Sequence, residues 1–593
     1  MHFSHEEILS TVPGHLRGYV VQQEYDKYTP QDHAVWRNIM RRNLRFLQQH
    51  AHPAYMDGLH KTGISSEKIP DIRDMNKALD KIGWRAVVVN GFLPPAAFME
   101  FQANRILVIS AEMRTIDHIL YTPAPDIVHE AAGHAPFIAH KTYAKFLQRF
   151  GEYGAKAISS KLDFEIYEAI RSLSIIKEYP HAKKEEIEAA ENRLHQKLAA
   201  NTQPSEATLL SRLHWWTVEY GLIGDPGNYK QFGAGLLSSV GESQACLNAG
   251  VKKIPLDLEC IQYDYDITSM QPQLFVAKDW DHLLEVLEAF ADTMAFRRAD
   301  KKSLERVLNA GTVATIELSS GLQISGTISR ILSESNGGFR YFQTSGLSAL
   351  AYRNHEIEGH GTGYHRDGFG SPVGNLEKSD QPFELFNDDD LIREGICIGN
   401  KCRLKFRSGI QVEGKLIEIK RNGDRLQILS FTDCRVSDHD EKPLFRPEWG
   451  RYDMAVGEKI VSVYQGSADK EKFNVLPPQS ESKAIPVEYS ARELTLFDLY
   501  QLIRHYRETG VFSPKDIAGI VNQLDNQYPE EWLLRLELAE LTDNMSSVPD
   551  LRQKLIVDLE KLKSHSKDFN DLISAGLESL NVSQSAEEIT VRE

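Results

Sequence analysis

Pro123-Ala124-Pro125-Asp126-Ile127-Val128-His129-Glu130-Ala131-Ala132-Gly133-His134 is the stretch on which the reading of this chain turns. Two histidines and an acid fall within six residues, directly after a proline-rich turn. The zinc-peptidase pattern HExxH sets its histidines four apart, so that both face one side of a helix. Here they stand five apart, which on a regular helix separates them by about 140°, at about 100° per residue. Convergence on one ion then requires an irregular helix, or His134 at a helix end beside Gly133. The spacing argues against a zinc peptidase and leaves a metal open. The bland alternative is a pair of capping or hydrogen-bonded core histidines.

A third donor is available in Leu213-His214-Trp215-Trp216-Thr217-Val218-Glu219-Tyr220-Gly221-Leu222, a strongly apolar helical stretch. A carboxylate there is costly to bury unless it is paired or bound to a metal. Two histidines and one carboxylate leave the remaining positions of an ion open, which suits non-heme Fe(II) oxygen chemistry. A second histidine cluster repeats the spacing: His355-Glu356-Ile357-Glu358-Gly359-His360, followed by His365. It lies in a glycine-rich segment and reads as a loop.

Outward from these motifs, the chain has 593 residues, 41% hydrophobic and 26% charged, enough for several domains with sizeable cores. A net charge of -16 argues against a general nucleic-acid or anionic-membrane binder, since both need a basic surface. The five cysteines (Cys246, Cys260, Cys397, Cys402, Cys434) show no CxxC spacing, so neither a disulfide framework nor a thiolate zinc site is expected. MHFSHEEILS lacks the apolar core of a signal peptide, and no run of about 18 apolar residues could span a bilayer. The expectation is a cytoplasmic protein.

Three textures follow one another. Residues 1–300 are mainly helical in pattern, with helices predicted over Asp32–Gln49, Thr142–Ser159, Lys184–Ala200, Glu206–Leu222 and Asp281–Arg297 and a short strand at Ala86–Val89. Residues 305–480 alternate in strand period and contain a duplication. Ile316 to Gly326 matches Leu404 to Gly414 at a constant offset of 88, and each copy places a Ser-Gly turn between two alternating runs. These read as two related small β modules that build structure or an interface. Residues 485–593 are helical again, with apolar stripes over Glu493–Arg507, Glu531–Leu541 and Asp550–His565. The fold class is therefore multidomain: a mainly α region at 1–300, duplicated small β modules at 305–480 and a helical region at 485–593.

The N-terminal region resembles the pterin-dependent aromatic amino acid hydroxylases, and most nearly their bacterial, phenylalanine-hydroxylating branch. The likeness runs over about residues 15–300 and is carried by Tyr121 through Pro136, Trp216 through Leu222 and Gly233 through Glu242, in that order. It implies an aromatic amino acid hydroxylase-like catalytic domain, without a preceding regulatory domain and with an additional C-terminal half. It implies Fe(II) held by His129, His134 and Glu219, with a tetrahydropterin, such as tetrahydrobiopterin, as electron donor. By position, Phe98 stacks on the pterin, Leu93 contacts it, and Glu130 lies at its polar edge, with His214 where relatives often carry tyrosine. Arg114 pairs with the substrate carboxylate. Thr122, Gly235, Ser238 and Trp215 line the amino acid pocket, and Ser238 also steadies an iron-binding histidine. Glu130 and Ser238 are the candidate catalytic groups. Ala124 replaces a glutamate of animal members, and Ile267 is apolar where tyrosine-hydroxylating members tend to carry an acid. The expected reaction is hydroxylation of phenylalanine to tyrosine with dioxygen. The alternatives are tyrosine or tryptophan as substrate, a metal-dependent hydrolase using Glu130 as base, or a scaffold with a relict catalytic region. A homo-oligomer built through the C-terminal half is a further expectation.

Overall fold

Apolar residues at helical spacing build the first long helix, α1 (Pro30–His50). Thr29 and Asp32 form a capping box at its start, and Val35, Trp36, Ile39, Met40 and Leu47 are buried. The computed structural model describes residues 4–582 except 92, 120–124, 179–182, 268–269, 335–337, 474–488, 543–548 and 566–568. The short strand is β1 (Arg85–Val89), which pairs in parallel with β2 (Ile106–Ser110). The helix Pro95–Ala103 connects them. The Asn76 side chain both donates to and accepts from the backbone of Ala86, so this fully buried amide fixes the start of the strand.

Three predicted helices end earlier than their patterns suggest. Lys141–Gly154 stops at Gly154, which packs against the Met99 side chain where a Cβ would stand 2.5 Å away. The stretch expected as Glu206–Leu222 is α-helical only over Glu206–His214, continues as a π-helix over Trp215–Glu219, and ends in the strand Leu222–Asp225. Trp280–Ala291 is separated from a short helix, Ala295–Arg298. Lys184–Ala200 is helical over its predicted length.

Beyond the helix Lys301–Ala310 the chain turns to strands. β3 (Val313–Leu318) and β4 (Leu322–Ser333) form one hairpin, and β5 (Phe339–Tyr352) extends that sheet. β6 (Lys401–Lys405), β7 (Gln411–Asn422) and β8 (Arg425–Ser437) form the second. The duplication survives in the register: Ile316 faces Ile324, and Leu404 faces Val412. Each turn carries a glycine at positive φ, Gly321 at 85° and Gly409 at 82°, a conformation that glycine adopts without a Cβ penalty. β9 (Tyr452–Ala455) pairs with β8, whereas β10 (Ile460–Gln465) returns to the first sheet and pairs with β3. The two modules are thus interleaved in the chain.

The C-terminal helices α2 (Ala491–Thr509), α3 (Pro514–Gln527), α4 (Leu533–Thr542), α5 (Pro549–His565) and α6 (Asn570–Val582) share one continuous apolar core with the N-terminal region. Two further cores lie in the β region: one mainly within the second module, the other joining the first module to Ile158, Ala295, Leu304 and Val307 of the N-terminal region. α4 lies against α1 through a buried pair: Arg37 donates to both Glu537 oxygens at 2.6 and 2.9 Å. Around it, Glu540 accepts from Arg507 at 2.5 Å and also pairs with Arg41. Among the described residues, no helix is long and apolar enough to cross a membrane.

Removing one partner of a buried ion pair strands the other charge, at a cost of roughly 3–5 kcal/mol. Glu537→Ala is therefore expected to lower the thermal midpoint followed by far-UV circular dichroism and to open the C-terminal helices to limited proteolysis. The double variant Arg37→Met/Glu537→Leu, which removes both charges, is expected to recover most of the loss.

A candidate metal centre

The five-residue interval between the histidines is resolved by the backbone. Val128–His134 winds as a π-helix, after which the α-helix resumes over Ala135–Ile138. In an i→i+5 register the fifth residue along returns beneath the first, so His129 and His134 face the same way. Two local features hold the segment. The Asp126 carboxylate accepts from the His129 N–H at 3.0 Å. Gly133 lets the turn approach the Ala234 carbonyl, where a Cβ would stand at 2.8 Å. The third donor sits on a second π turn: the Tyr220 N–H donates to the Trp215 carbonyl at 2.9 Å, which places Glu219 at the end of that turn.

His129 Nε2 and His134 Nε2 are 3.1 Å apart. Glu219 Oε2 stands 3.3 Å from the first and Oε1 3.4 Å from the second. Donor atoms at this separation are those that can share one ion with bonds of roughly 2.0–2.2 Å. Glu130 stands farther off, 4.0 Å from His134 and within 4.8 Å of both histidines, so Glu219 is the carboxylate nearer to the pair. Ser238 Oγ lies 3.1 Å from His129 Nδ1 and donates to the Ala234 carbonyl at 2.8 Å. With its own proton spent, Oγ accepts the Nδ1 proton and leaves the Nε2 lone pair free for a metal. The hydrolase alternative required Glu219 to stand apart from the histidines; it stands between them.

The electrostatics match such a donor set. Burial disfavours charge on His129, yet Glu219, with Glu130 and Asp126 behind it, outweighs burial and lifts the imidazole to about 9. Burial pushes Glu219 up, but His134 and His129 hold it well below the usual carboxylate range. In the chain alone a proton does what a cation would do. Burial raises Glu130 and drops His214 to about 4. Glu130 Oε2 and His214 Nε2 are buried without a hydrogen-bond partner, so polar groups of a bound molecule have places to meet.

The other expected residues gather nearby to different degrees. The Phe98 ring is 6.1 Å from His214, edge to face, and Leu93 packs in the same small apolar cluster as Phe98. His214 Nδ1 is 3.7 Å from Glu219. Trp215 stacks on Tyr265 at 4.3 Å and on Tyr220 at 4.8 Å. A side chain at Gly235 would meet the Tyr220 ring at 2.9 Å and the Glu219 carbonyl at 3.1 Å. Thr122 and Ala124 lie outside the described residues. Arg114 is not on the surface: its Nε and Nη2 donate to the two oxygens of Asp126 at 2.6 and 2.8 Å, fully inside the protein. Asp126 and Tyr265 were not singled out by the sequence reading. An acid immediately ahead of a helix after proline is a start signal that could have marked Asp126; nothing local marks Tyr265.

Residues 20–163 and 196–314 match the family model for biopterin-dependent aromatic amino acid hydroxylases. The chain is 29% identical over 292 residues to a phenylalanine-4-hydroxylase of Mesorhizobium japonicum, covering 48% of this chain and 90% of that protein. It is 27% identical over 304 residues to that of Chromobacterium violaceum, covering 49% and 88%. A crystal structure of the Chromobacterium violaceum phenylalanine hydroxylase with bound iron(III) and 7,8-dihydrobiopterin is 26% identical, with a TM-score of 0.37, covering 46% of this chain and 85% of that one.

If the Ser238 hydroxyl orients His129, Ser238→Ala is expected to weaken metal binding by about 10–100-fold, read as the Co(II) dissociation constant of the metal-stripped chain. Ser238→Thr, which keeps the hydroxyl, is expected to retain most of the affinity. Equal affinities for wild type and Ser238→Ala would remove the assignment.

Proposed function

The N-terminal half of the chain belongs to the biopterin-dependent aromatic amino acid hydroxylases, and we propose that it converts phenylalanine to tyrosine with dioxygen, iron and a tetrahydropterin. The observation that carries this reading is the placement of Glu219 within 3.4 Å of both histidines. Two imidazoles and one carboxylate are the donor set of oxygen-activating non-heme iron. His129, His134 and Glu219 would hold the ion, and the iron with its pterin supplies the dioxygen activation and the two electrons of the reaction.

The chain's own residues position and shield. Ser238 fixes the tautomer of His129. Phe98 offers an apolar ring for a pterin to stack on, beside Leu93. Glu130, kept toward its neutral form by burial, can donate a hydrogen bond to a polar edge, and neutral His214 has a free ring nitrogen facing the same region. Arg114 spends Nε and Nη2 on Asp126 and so presents Nη1 to the carboxylate of an amino acid, with the guanidinium plane held in advance. The Tyr265–Trp215–Tyr220 stack makes one rigid apolar wall, and Gly235 and Ser238 leave room at another. Thr122 is the remaining pocket residue by sequence position. Such a site works by orientation and water exclusion more than by acid-base chemistry.

Phenylalanine is favoured over tyrosine by apolar Ile267, although an apolar pocket rejects one extra hydroxyl only weakly; tyrosine and tryptophan are the alternative substrates. Cys246, Cys260, Cys397, Cys402 and Cys434 are unpaired, which suits the reducing cytoplasm. A homo-oligomer formed through the C-terminal half would have to use faces other than those that the C-terminal helices spend on α1.

Oxygen uptake and tyrosine formation from phenylalanine, with Fe(II) and a tetrahydropterin, test the proposal on wild type and Glu219→Ala. The expected result is pterin-dependent tyrosine formation in wild type and its loss in the variant. Iron-loaded wild type that turns over neither phenylalanine, tyrosine nor tryptophan would overturn the reading.

A further inference from the structure

We propose that the two β modules are clamped together by a second metal ion, zinc by ligand type, held by His360, His365 and Asp453. The site lies outside the residues matched by the family model and stands independently of the hydroxylase reading. The glycine-rich segment after β5 is a loop, as its composition predicts, but it is tied to that strand and buries His360 and His365. The Leu350 N–H donates to the His360 carbonyl and the Ser348 N–H to the His365 carbonyl, each at 2.9 Å. Both histidines are thereby pinned to β5 of the first module. His360 Nδ1 and His365 Nε2 face each other at 3.2 Å. Asp453 comes from β9, a strand of the second module paired with β8. One ligand atom from each of the three residues lies within 4.8 Å of the others.

The carboxylate is oriented as a ligand would be. Its Oδ1 accepts from Ser430 Oγ at 2.5 Å and from Arg451 Nε at 3.0 Å. Its Oδ2 meets the hydroxyl of Tyr364, the residue just before His365, at 2.9 Å. Oδ1 is thus occupied by two supporting donors, and Oδ2 has, among the described residues, only the Tyr364 hydroxyl as a hydrogen-bond partner, on the residue next to His365. Arg451 is itself balanced by Glu418 at 2.5 Å, so its charge does not stand unopposed beside the site.

The first centre provides an internal standard. There, too, two histidines five residues apart face each other, at 3.1 Å, with one carboxylate from a distant segment. The two centres differ in closure. In the first, His129 and Glu219 are only partly buried, whereas His360, His365 and Asp453 are all buried. An ion with a closed shell of imidazole and carboxylate ligands holds structure, while a catalytic ion keeps an open position. His360, His365 and Asp453, with the Tyr364 hydroxyl beside Asp453 Oδ2 as fourth ligand, form such a closed set across the seam between the modules.

The test uses the full chain carrying Glu219→Ala, which disables the first centre, stripped with a chelator and titrated with Co(II), a spectroscopic stand-in for zinc. The expected result is one tightly bound equivalent with the intense visible bands of a tetrahedral site, displaced stoichiometrically by Zn(II), and a thermal midpoint that rises with Zn(II). Asp453→Asn and His365→Ala in the same background should weaken that equivalent by more than the roughly 10–100-fold that loss of a supporting residue costs. Asp453→Asn nearly preserves shape, so native far-UV circular dichroism in that variant separates loss of a ligand from loss of fold. Absence of a bound equivalent in the Glu219→Ala chain, or an equivalent undiminished in folded Asp453→Asn, would overturn the proposal and leave His360 and His365 as a hydrogen-bonded imidazole pair.

Discussion

Everything in the N-terminal region answers to one constraint: a carboxylate and two imidazoles are held buried within 3.4 Å of one another. Charges so placed are stable only when they compensate, because desolvation of an unpaired one costs several kcal/mol. The chain alone meets the constraint with a proton on His129, whose imidazole is raised while Glu219 is lowered despite their burial. A divalent cation meets it better and must displace that proton to do so. The donor set is therefore preorganised, and the organisation is built from two π turns that an ordinary α-helix would forbid. π turns are uncommon and recur at functional sites; here each one delivers a donor to the same point.

Asp126 links the metal donors to the pocket. Its oxygens accept from the His129 backbone N–H and from Arg114, both side chain and backbone. One buried carboxylate thus fixes the start of the π-helix and the plane of the guanidinium that would receive the substrate. A change at Asp126 would reach both functions together, whereas a change at Ser238 reaches His129 through its ring alone. The distinction matters for reading variants, since loss of Asp126 also leaves Arg114 uncompensated at 7% exposure.

The three candidate donors that converge were legible in the sequence because they are chemically conspicuous: two histidines near a proline-rich turn, and a glutamate in an apolar stretch. The geometry that joins them was not. Period arithmetic on His129 and His134 assumes an α-helix and gives the wrong face, and no local pattern announces a π turn at Trp215. The duplicated hairpins were legible down to register, because side-chain alternation and a turn glycine fix pairing locally. The His360 cluster does lie in a loop, as its glycines predict, but the burial of its histidines does not show in the sequence. Glycines predict turns, but the burial of His360 depends on backbone bonds to Ser348 and Leu350 and on Asp453 about 90 residues away, and long-range pairing has no signature in one sequence. The burial of Arg114 against Asp126 is equally hidden, since a surface charge and a buried ion pair look alike until the partner is placed.

The C-terminal helices are mechanically connected to the site through α1. One face of this helix gives Arg37 and Arg41 to Glu537 and Glu540 of α4. Another face gives Asn43, which donates to the Leu237 carbonyl at 3.1 Å, fully buried. Leu237 immediately precedes Ser238, whose hydroxyl lies 3.1 Å from His129 Nδ1. Helix α1 is therefore a strut with the C-terminal helices on one side and the turn carrying Ser238 on the other. Contiguity of this kind is not coupling, and it requires none to matter. A ligand-orienting hydroxyl performs its task only within a few tenths of an ångström, so whatever stiffens α1 stiffens that turn. The continuous core joining residues 34–294 to residues 499–580 makes the tail part of the catalytic region's packing, and not an appendage carried beside it.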